Sequence, residues 1–568
     1  MRLYFLLIII FVSCSSTTIK KIKDKFKKPK KVGVTKTKPI SIDYGPSQKK
    51  DTIFVDVTDQ LGLSNVVSVR NYIVDVNGDG LEDLVVLPDY YSTPEFYLKL
   101  ESGKFSKSKS VFFEDSVKAS FLSFDDFDKD GNLDVLVGVF NQKTSLTQRP
   151  LSIYSQKSLR SSKVFIKNEK FNFDQVLPIP TIATLDFNYD GFLDFYMGTW
   201  FDLKENGKVI PDALVIRQKD KMRDATNILL GEEDLDANIY INATPTYGVS
   251  HCDVNNDGLV DILVSASAGY KNKLWIGEAG RKGFRFTNRA AEAGFSDDKE
   301  GFLSLKGGGN STYSLCTDYN NDGIMDIAQG EVSHDYDPET RDRSSILTGE
   351  GLKRFSSFIR SEYISDGGKL NWTESDQRAT WFDINNDAFV DLLIENSGYP
   401  PSTRMILFQQ EKTHELVEVS KKAGLDIVNP IGSVVFDHNN DGKMDIIVSR
   451  TDLRDKRIKK RLYVFENRSR NKNNFIKVFL EGTKSNSSAI GARVIVRDTS
   501  GVIQTRWVHG PYGAFPSGHS RVLHFGLGSA DIYEIEVVWP MLENNIAKRT
   551  IYKKPFLKIN SKNILIEQ

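Results

Sequence analysis

The chain has 568 residues, of which 40% are hydrophobic and 26% charged, and its formal net charge is zero. This composition excludes a largely disordered protein and a bundle of membrane-spanning helices, and the length allows a repeat array with a smaller second domain. The charge is uneven: residues 1–50 carry about +11 and the rest about −11. No nucleic-acid partner is expected from this balance.

Residues 1–13 predict a lipoprotein signal peptide. Arg2 is followed by an apolar run that is too short to span a bilayer as a stable helix. The run ends Phe11-Val-Ser-Cys14, which resembles the bacterial lipoprotein box, with Phe11 where leucine is usual. The resemblance implies acylation of Cys14 and a firm membrane anchor. An ordinary signal peptide with an incidental cysteine is the alternative.

Residues 14–50 predict a disordered, lysine-rich tether, because they lack apolar periodicity and consist mostly of Lys, Ser, Thr and Pro. The lysines could lie on anionic head groups, but a solvated spacer is the favoured interpretation. Ser15 and Ser16 replace the aspartate that often marks inner-membrane retention. We therefore expect an extracytoplasmic protein at the outer membrane or cell surface.

From residue 51 to about 470 the chain repeats one nine-residue loop seven times. Its second copy, Asp126–Asp134, has carboxylates at positions 1, 3, 5 and 9 and a glycine at position 6. The other copies start at Asp75, Asp186, Asp253, Asp318, Asp383 and Asp437, and Asn takes position 3 in each of them. Short apolar runs flank every loop, which predicts antiparallel strands. Units at this period are typical of a solenoid or a propeller, and seven sheets close most economically into a β-propeller.

Oxygen-bearing side chains at alternate positions are the ligands that hard divalent cations such as calcium prefer. The backbone carbonyl at position 7 supplies a further oxygen. An EF-hand is excluded because position 12 is never glutamate, being Val137 in the second copy. Simple hairpin turns would explain the glycines but not the repeated acids. Metal sites also explain the acidity of this part of the chain better than a basic partner does.

These loops resemble the FG-GAP and VCBS repeat family, best known from the integrin α-subunit propellers, where the loop binds calcium within a blade. The resemblance implies up to seven calcium ions of mainly structural role. Carried over by position, the implied ligands are Asp75, Asn77, Asp79, Leu81 and Asp83; Asp126, Asp128, Asp130, Asn132 and Asp134; Asp186, Asn188, Asp190, Phe192 and Asp194; Asp253, Asn255, Asp257, Leu259 and Asp261; Asp318, Asn320, Asp322, Ile324 and Asp326; Asp383, Asn385, Asp387, Phe389 and Asp391; and Asp437, Asn439, Asp441, Lys443 and Asp445.

The copies are not equivalent. The second has four carboxylates and is expected to bind most tightly if charge decides affinity. The sixth has Ala388 where the others have glycine. Because a non-glycine residue at positive φ costs on the order of 1 kcal/mol, we expect the sixth site to be the weakest.

Residues 471–568 lack the loop and predict a small β-sandwich domain from several short alternating strands. Three motifs in order resemble the ASPIC/UnbV domain: Ser485–Val494, His524–Gly528 and Val538-Trp-Pro540. Met541–Asn544 stands where that domain usually has a glycine. The propeller and the C-terminal domain together resemble the cartilage acidic protein-like family. This resemblance implies the architecture and the binding of calcium, but it implies little about a biochemical activity.

Other features give weaker expectations. Residues 199–245, 330–378 and 397–402 exceed the needs of a blade and would form a ligand surface if they lie on one face. For Cys252 and Cys316 we favour two buried thiols over a disulfide. His519 and His524 are placed on opposite sides of one short strand, which argues against a shared metal site.

Two function classes remain open. The favoured class is a membrane-anchored, calcium-binding module for an unknown protein or glycan ligand, with no catalytic residues assigned. The alternative is a polysaccharide-active, lyase-like enzyme on the same scaffold, which would need Arg, Lys, His or Tyr side chains converging at the central mouth of the propeller. A pocket with perturbed titrating groups there would favour the enzyme.

Overall fold

The structure is a computed structural model. It describes residues 45–568 except 50, 110–111, 114–115, 141–150, 160–161, 174–176, 203–206, 220, 231–242, 281–282, 297–307, 334–341, 352–356, 364–374 and 544–545. The predicted signal peptide, Cys14 and nearly all of the predicted tether lie outside the described residues. Within the described part of the chain, no helix is long and apolar enough to cross a bilayer.

Most described elements are β-strands that form seven blades, each a meander of four antiparallel strands. β1 (Phe54–Asp56) precedes the first blade. The bounds are as follows: first blade, β2 (Arg70–Val74), β3 (Asp83–Leu87), β4 (Glu95–Lys99) and β5 (Phe105–Lys107); second, β6 (Phe121–Asp125), β7 (Asp134–Gly138), β8 (Leu151–Leu159) and β9 (Ser162–Asn172); third, β10 (Thr181–Leu185), β11 (Asp194–Gly198), β14 (Ala213–Gln218) and β15 (Lys221–Asp224), with β12 (Phe201–Asp202) and β13 (Lys208–Val209) forming a separate hairpin.

The remaining blades follow the same order. Their bounds are: fourth blade, β17 (Thr246–Cys252), β18 (Asp261–Ala266), β19 (Lys273–Gly280) and β20 (Gly283–Asn288), extended by β16 (Leu229–Leu230); fifth, β21 (Ser311–Thr317), β22 (Asp326–Glu331), β23 (Ser345–Gly349) and β24 (Phe358–Glu362); sixth, β25 (Asp376–Phe382), β26 (Asp391–Asn396), β27 (Met405–Gln410) and β28 (Leu416–Glu418); seventh, β29 (Pro430–Phe436), β30 (Asp445–Arg450) and β31 (Arg461–Asn467).

The ring is closed by the start of the chain. β1 pairs antiparallel with β31, with Phe54 opposite Asn467, and so supplies the outer strand of the seventh blade. Seven clusters of buried side chains lie between neighbouring blades, one for each adjacent pair, including the seventh and first. Radial closure buries the sheet faces and removes most free edges. The predicted seven-bladed β-propeller is confirmed.

A short helix follows the outer strand in each of two blades. α1 (Ala290–Ala293) follows β20 and α2 (Ser420–Ala423) follows β28. Each ends at a glycine in the left-handed region, Gly294 at φ 73° and Gly424 at φ 83°. A one-turn 3₁₀ helix spans Thr226–Ile228.

The C-terminal strands form two packed sheets, as predicted for a β-sandwich. One holds β32 (Asn474–Glu481), β35 (Leu523–Gly528) and β38 (Lys562–Ile566); the other holds β33 (Arg493–Asp498), β34 (Ile503–Trp507), β36 (Ile532–Glu543) and β37 (Ile546–Lys553). Their inner faces share one buried cluster that includes Val478, Val496 and Trp539. β36 continues through the Met541 position to Glu543.

The segment between β34 and β35, residues 508–522, enters the central channel of the propeller. Backbone hydrogen bonds join it to the innermost strands of several blades: Ile73 N–H donates to the Gly518 carbonyl at 3.0 Å and Gly513 N–H to the Val249 carbonyl at 3.2 Å. The Arg378 guanidinium on β25 donates to the carbonyls of Ala514 and Phe515. We call residues 508–522 the channel segment.

Two sequence expectations were wrong. Cys252 and Cys316 form a disulfide rather than two thiols, since the innermost strands of the fourth and fifth blades bring their Cα atoms to 6.3 Å. His519 and His524 do not share a strand: His524 lies on β35, whereas His519 lies in the channel segment. Both errors arise because strand position in a ring depends on packing between distant residues.

Two of the three predicted insertions contain strands of the blades themselves, so the expectation that they exceed a blade was wrong for those strands: residues 199–245 hold β14 and β15, and residues 330–378 hold β23 and β24. The connections that follow β11, β22 and β26 each join the second and third strands of a blade. The repeated loops join the first and second strands, and successive connections of a meander alternate between faces. These three connections therefore leave the propeller opposite the repeated loops. Among their predicted features, residues 334–337 and 366–372 lie outside the described residues.

Candidate metal centres

All seven repeated loops connect the first and second strands of their blades and so share one face of the propeller. In each copy the position-1 aspartate accepts a hydrogen bond from the backbone N–H at position 6, with donor–acceptor distances of 2.8–3.1 Å. The position-6 residue has a φ of 79–88° in every copy, including Ala388 at 79°. The predicted reason for glycine at this position is confirmed.

A second left-handed position was missed by the sequence analysis. Position 4 has a φ of 57–74° in all seven copies. The signal was present, since the position is Gly78 in the first loop and asparagine in the last four, such as Asn256. Asparagine and glycine tolerate this region better than other residues do. Lys129 and Tyr189 adopt it without that advantage.

The position-9 aspartates connect each loop to the third strand of its blade. Asp83 accepts the Val76 N–H at 3.1 Å with one oxygen and the Lys99 N–H, on β4, at 2.7 Å with the other. Third-strand N–H groups bind the equivalent aspartate in every other copy. Each oxygen keeps a lone pair for a cation. Position 9 therefore has a structural role in addition to the ligand role predicted for it.

The second loop brings three carboxylates together. One oxygen from each of Asp126, Asp128 and Asp130 lies within 4.8 Å of the other two. Asp128 Oδ1 is buried and has no hydrogen-bond partner among the described residues, and the same holds for Asp318 Oδ1 in the fifth loop. A buried, unpartnered carboxylate oxygen is costly unless a cation or donor binds it. The residues present therefore fit a hard divalent cation.

The electrostatics agree with this fit. Burial, and next the Asp128 carboxylate, raise the pKa of Asp134 to about 7. Burial likewise raises the pKa of Asp326 to about 8 and that of Asp83 to about 7. A divalent cation within such a group stabilises the ionised form and reverses the shift.

The C-terminal domain rests on the same face and places hydrogen-bonding and basic side chains against the loops. Lys477 Nζ lies 2.7 Å from Asp437 Oδ2, with both side chains buried. Ser487 Oγ donates to Asp126 Oδ2 at 2.8 Å. Arg493 Nη1 lies 3.9 Å from Asp253 Oδ2. Position-1 aspartates of three loops thus contact the domain directly.

Basic and phenolic side chains do converge in the central channel, but the channel segment binds them. Arg378 Nη1 donates to Ser517 Oγ at 2.6 Å, and Tyr72 Oη donates to the Pro516 carbonyl at 3.0 Å. His519 Nδ1 accepts the Val435 N–H at 3.2 Å. These groups are therefore engaged in holding the C-terminal domain.

A cavity of about 700 Å³ lies between the loop face and the C-terminal domain. Its walls include Glu82 from the first loop, His519 and Arg521 from the channel segment, and Lys562 from β38. Burial, and next the charge of Arg378, lower the pKa of His519 to about 3. Burial raises the pKa of Glu82, opposed by a hydrogen bond from Ser520.

Comparison with known families agrees with the predicted class. Residues 75–137 match the FG-GAP-like repeat, and residues 482–555 match the ASPIC and UnbV domain. The chain is thus a β-propeller protein in which one segment matches the FG-GAP-like repeat and a C-terminal segment matches the ASPIC and UnbV domain, as the sequence motifs indicated.

Among individual proteins, the chain is similar to cartilage acidic protein 1. It is 25% identical to the human protein over 378 residues, which cover 65% of this chain and 51% of that protein. It is 25% identical to the mouse protein over 368 residues, covering 63% and 51%. The chain spans about half the length of these relatives.

The solved structures are less similar to this chain in sequence than cartilage acidic protein 1 is. Rhamnogalacturonan lyase YesW is 12% identical, with a TM-score of 0.31 over 89% of this chain and 92% of that chain. Trypanosoma rangeli sialidase in complex with sialic acid is 10% identical, with a TM-score of 0.33 over 66% and 56%. At these scores the likeness supports no functional comparison.

Proposed function

We propose that this protein is a calcium-binding module that acts outside the cytoplasm, is anchored to a membrane through acylated Cys14, and binds a protein or glycan ligand. The observation that carries the calcium part of the proposal is the second loop. There the oxygens of Asp126, Asp128 and Asp130 converge, and Asp128 Oδ1 has no hydrogen-bond partner in the part of the chain that the structure describes. The ligands proposed for the other copies follow the same positions. When bound, calcium would neutralise the loop carboxylates.

The disulfide supports the proposed location. A bond between Cys252 and Cys316 persists in oxidising compartments and is rare in the cytosol. The anchor is tested by cell fractionation: the wild-type protein should enter the membrane fraction, and Cys14→Ser should release it. Ser15→Ala is the matched control and should stay with the membrane. Equal release of both variants would contradict the lipid anchor.

The ligand is tested with a glycan array and a pull-down from extracellular material, each in calcium and in chelator. We expect a ligand that is retained in calcium and released by chelation, because a calcium-stabilised propeller loosens when the ion is removed. Binding that does not change with chelator would contradict the calcium-dependent part of the proposal. Failure of both screens to retain any ligand would contradict the binding function.

The second candidate is a polysaccharide-active enzyme. The cavity beside the loop face favours it, since Glu82, His519 and Arg521 are titratable groups with restricted solvent access at one site. Incubating the protein with acidic polysaccharides and following new carbon–carbon double bonds by ultraviolet absorbance tests it. Product formation that His519→Gln abolishes would favour this candidate over the binding module.

A further inference from the structure

A groove of about 680 Å³ runs between the second and third blades on the loop face. Six basic side chains and three acidic ones line it. The basic residues are Lys129, Lys157, Lys167, Lys170, Arg217 and Lys219; the acidic residues are Asp128, Asp130 and Glu169. Two of the three acidic residues, Asp128 and Asp130, belong to the second repeated loop.

Arg217 at the base of the groove is a buried cation that forms no direct ion pair among the described residues, although the carboxylates of Asp128, Asp126 and Asp134 attract it from a greater distance. Its side chain is 1% exposed, and its Nε has no hydrogen-bond partner among the described residues. Nη2 donates only to the neutral carbonyl of Lys219, at 3.1 Å. The guanidinium lies between two phenyl rings, 4.6 Å from the centroid of Phe171 and 4.5 Å from that of Phe192. These rings orient the group but do not neutralise it.

The rim adds further positive charge. Lys129 Nζ donates to the neutral carbonyl of Lys484 at 2.9 Å, and no acidic partner of the exposed Lys219 is found among the described residues. Lys157 pairs with Asp130 at 2.7 Å, and Lys167 pairs with Glu169 at 2.9 Å. A cation bound by the second loop would offset Asp128 and Asp130, which leaves the groove more positive.

The aromatic rings that line the groove are in contact with cationic groups. Phe171 is 4% exposed, and the Arg217 guanidinium covers its ring. Peptide partners are usually held by buried aromatic or aliphatic anchors in pockets, and no such pocket is formed here among the described side chains. A ligand with negative charges at intervals and a polar backbone fits better.

We propose that this groove binds an acidic polysaccharide, with carboxylate or sulfate groups directed to the rim lysines above the buried Arg217, whose charge adds to the positive field of the groove. The proposal rests on the proposed binding function and adds the class of ligand and its location. Because the contacts are charge pairs at a solvent-facing site, binding weakens as ionic strength rises.

The test measures binding of the full-length chain, in millimolar calcium, to heparin as the sulfated probe and polygalacturonate as the carboxylated probe. Dextran is the neutral probe and poly-glutamate the acidic peptide probe. We expect heparin, polygalacturonate or both to bind and dextran not to bind. The double variant Lys167→Glu/Lys219→Glu should lose at least ~10-fold in affinity, about 1.4 kcal/mol.

The matched control is Lys421→Glu/Lys422→Glu, which makes the same charge change at two exposed lysines of the sixth blade. It should change affinity by less than ~2-fold, as expected for charges beyond the screening length. Arg217→Met should weaken binding further, and its melting curve shows whether the variant is folded. If Arg217→Met unfolds, the affinity of the Lys167→Glu/Lys219→Glu variant alone tests the proposal.

The results that would contradict the groove, the ligand class and the binding function differ from one another. Undiminished polysaccharide binding in Lys167→Glu/Lys219→Glu would overturn the groove and leave the binding function standing. Poly-glutamate binding as tightly as the polysaccharides would overturn the saccharide class. If no acidic probe binds while the glycan array or the pull-down retains another ligand, the inference is overturned and the proposed function stands.

Discussion

At the residue scale, the left-handed position 6 is the most specific constraint in each loop. Gly323 in the fifth loop has a φ of 83°, and an added Cβ would meet no atom within 4 Å. Ala388 holds the same conformation in the sixth loop at φ 79° and is buried. The two positions therefore separate backbone strain from steric clash.

We expect Gly323→Ala to lower the free energy of unfolding by about 1 kcal/mol, because only backbone strain is added. Ala388→Gly should raise it by up to about 1 kcal/mol and strengthen calcium binding at the sixth site. Chemical denaturation and calcium titration measure both. A destabilised Ala388→Gly would show that the buried methyl group contributes more than the strain costs.

Two partly buried histidines of the channel segment make stability depend on pH. Burial lowers the pKa of His509 to about 4, and burial together with Arg378 lowers that of His519 to about 3. Both are neutral in the folded protein, whereas the unfolded chain binds their protons below a pKa of about 6.5. Stability is therefore complete above that pH and falls as the pH drops from about 6.5 towards 4.

His519→Gln should remove about 1.4 kcal/mol per pH unit from that slope between about pH 6 and 4. The measurement is the free energy of unfolding as a function of pH for variant and wild type. Parallel curves for His519→Gln and wild type would contradict the prediction.

At the element scale, the Arg378 side chain links the propeller to the channel segment of the C-terminal domain. The Arg378 guanidinium is 3.9 Å from Glu395 and donates to Ser517 and to the carbonyls of Ala514 and Phe515. Its removal leaves these acceptors buried without a donor. Buried charged networks of this kind typically cost 3–5 kcal/mol, as an order-of-magnitude estimate, when one partner is lost.

We expect Arg378→Met to destabilise the protein by about that amount and to raise amide exchange in residues 510–520. Arg404→Met removes a more exposed pair with Asp426, at 3.8 Å, and should cost less than about 1 kcal/mol. Hydrogen exchange followed by mass spectrometry reports both. Unchanged exchange in the channel segment of Arg378→Met would show that the segment is held by other contacts.

The blades themselves were predictable from sequence because each one is local. The first and second strands of each blade follow from the nine-residue loop, the apolar run after it and the turn signals. The second strand starts at the position-9 aspartate, which is Asp83 in the first blade. The outer strand of the seventh blade was not predictable. It is β1, more than 400 positions from its partner β31, and only ring closure selects that pair.

At the scale of the whole molecule, the proposed calcium sites and the C-terminal domain lie on the same face. Cationic groups such as Lys477 and Arg493 approach the position-1 aspartates from the C-terminal domain. A site whose Kd lies about a hundredfold below the ambient calcium concentration adds roughly 2.7 kcal/mol of stability. Several such sites would make the propeller depend on calcium.

Chelation should lower the melting temperature by roughly 10 °C or more, since about 1 kcal/mol corresponds to a few degrees in a domain of moderate size. Restored calcium should reverse the change, and magnesium at the same concentration should restore less because it requires tighter, octahedral coordination. Calorimetry measures the effect. Superimposable curves in calcium and chelator would contradict the structural role of the ion.

The sequence by itself determined the repeat, the number of blades, the glycine at position 6 and the two-domain order, because these depend on residues close together in the chain. Only the tertiary structure decided the Cys252–Cys316 disulfide, the place of His519 in the channel and the groove around Arg217. These features join blades and domains that are distant in sequence. Local patterns carry no information on such contacts, which are selected by ring closure and by packing of the C-terminal domain on the loop face.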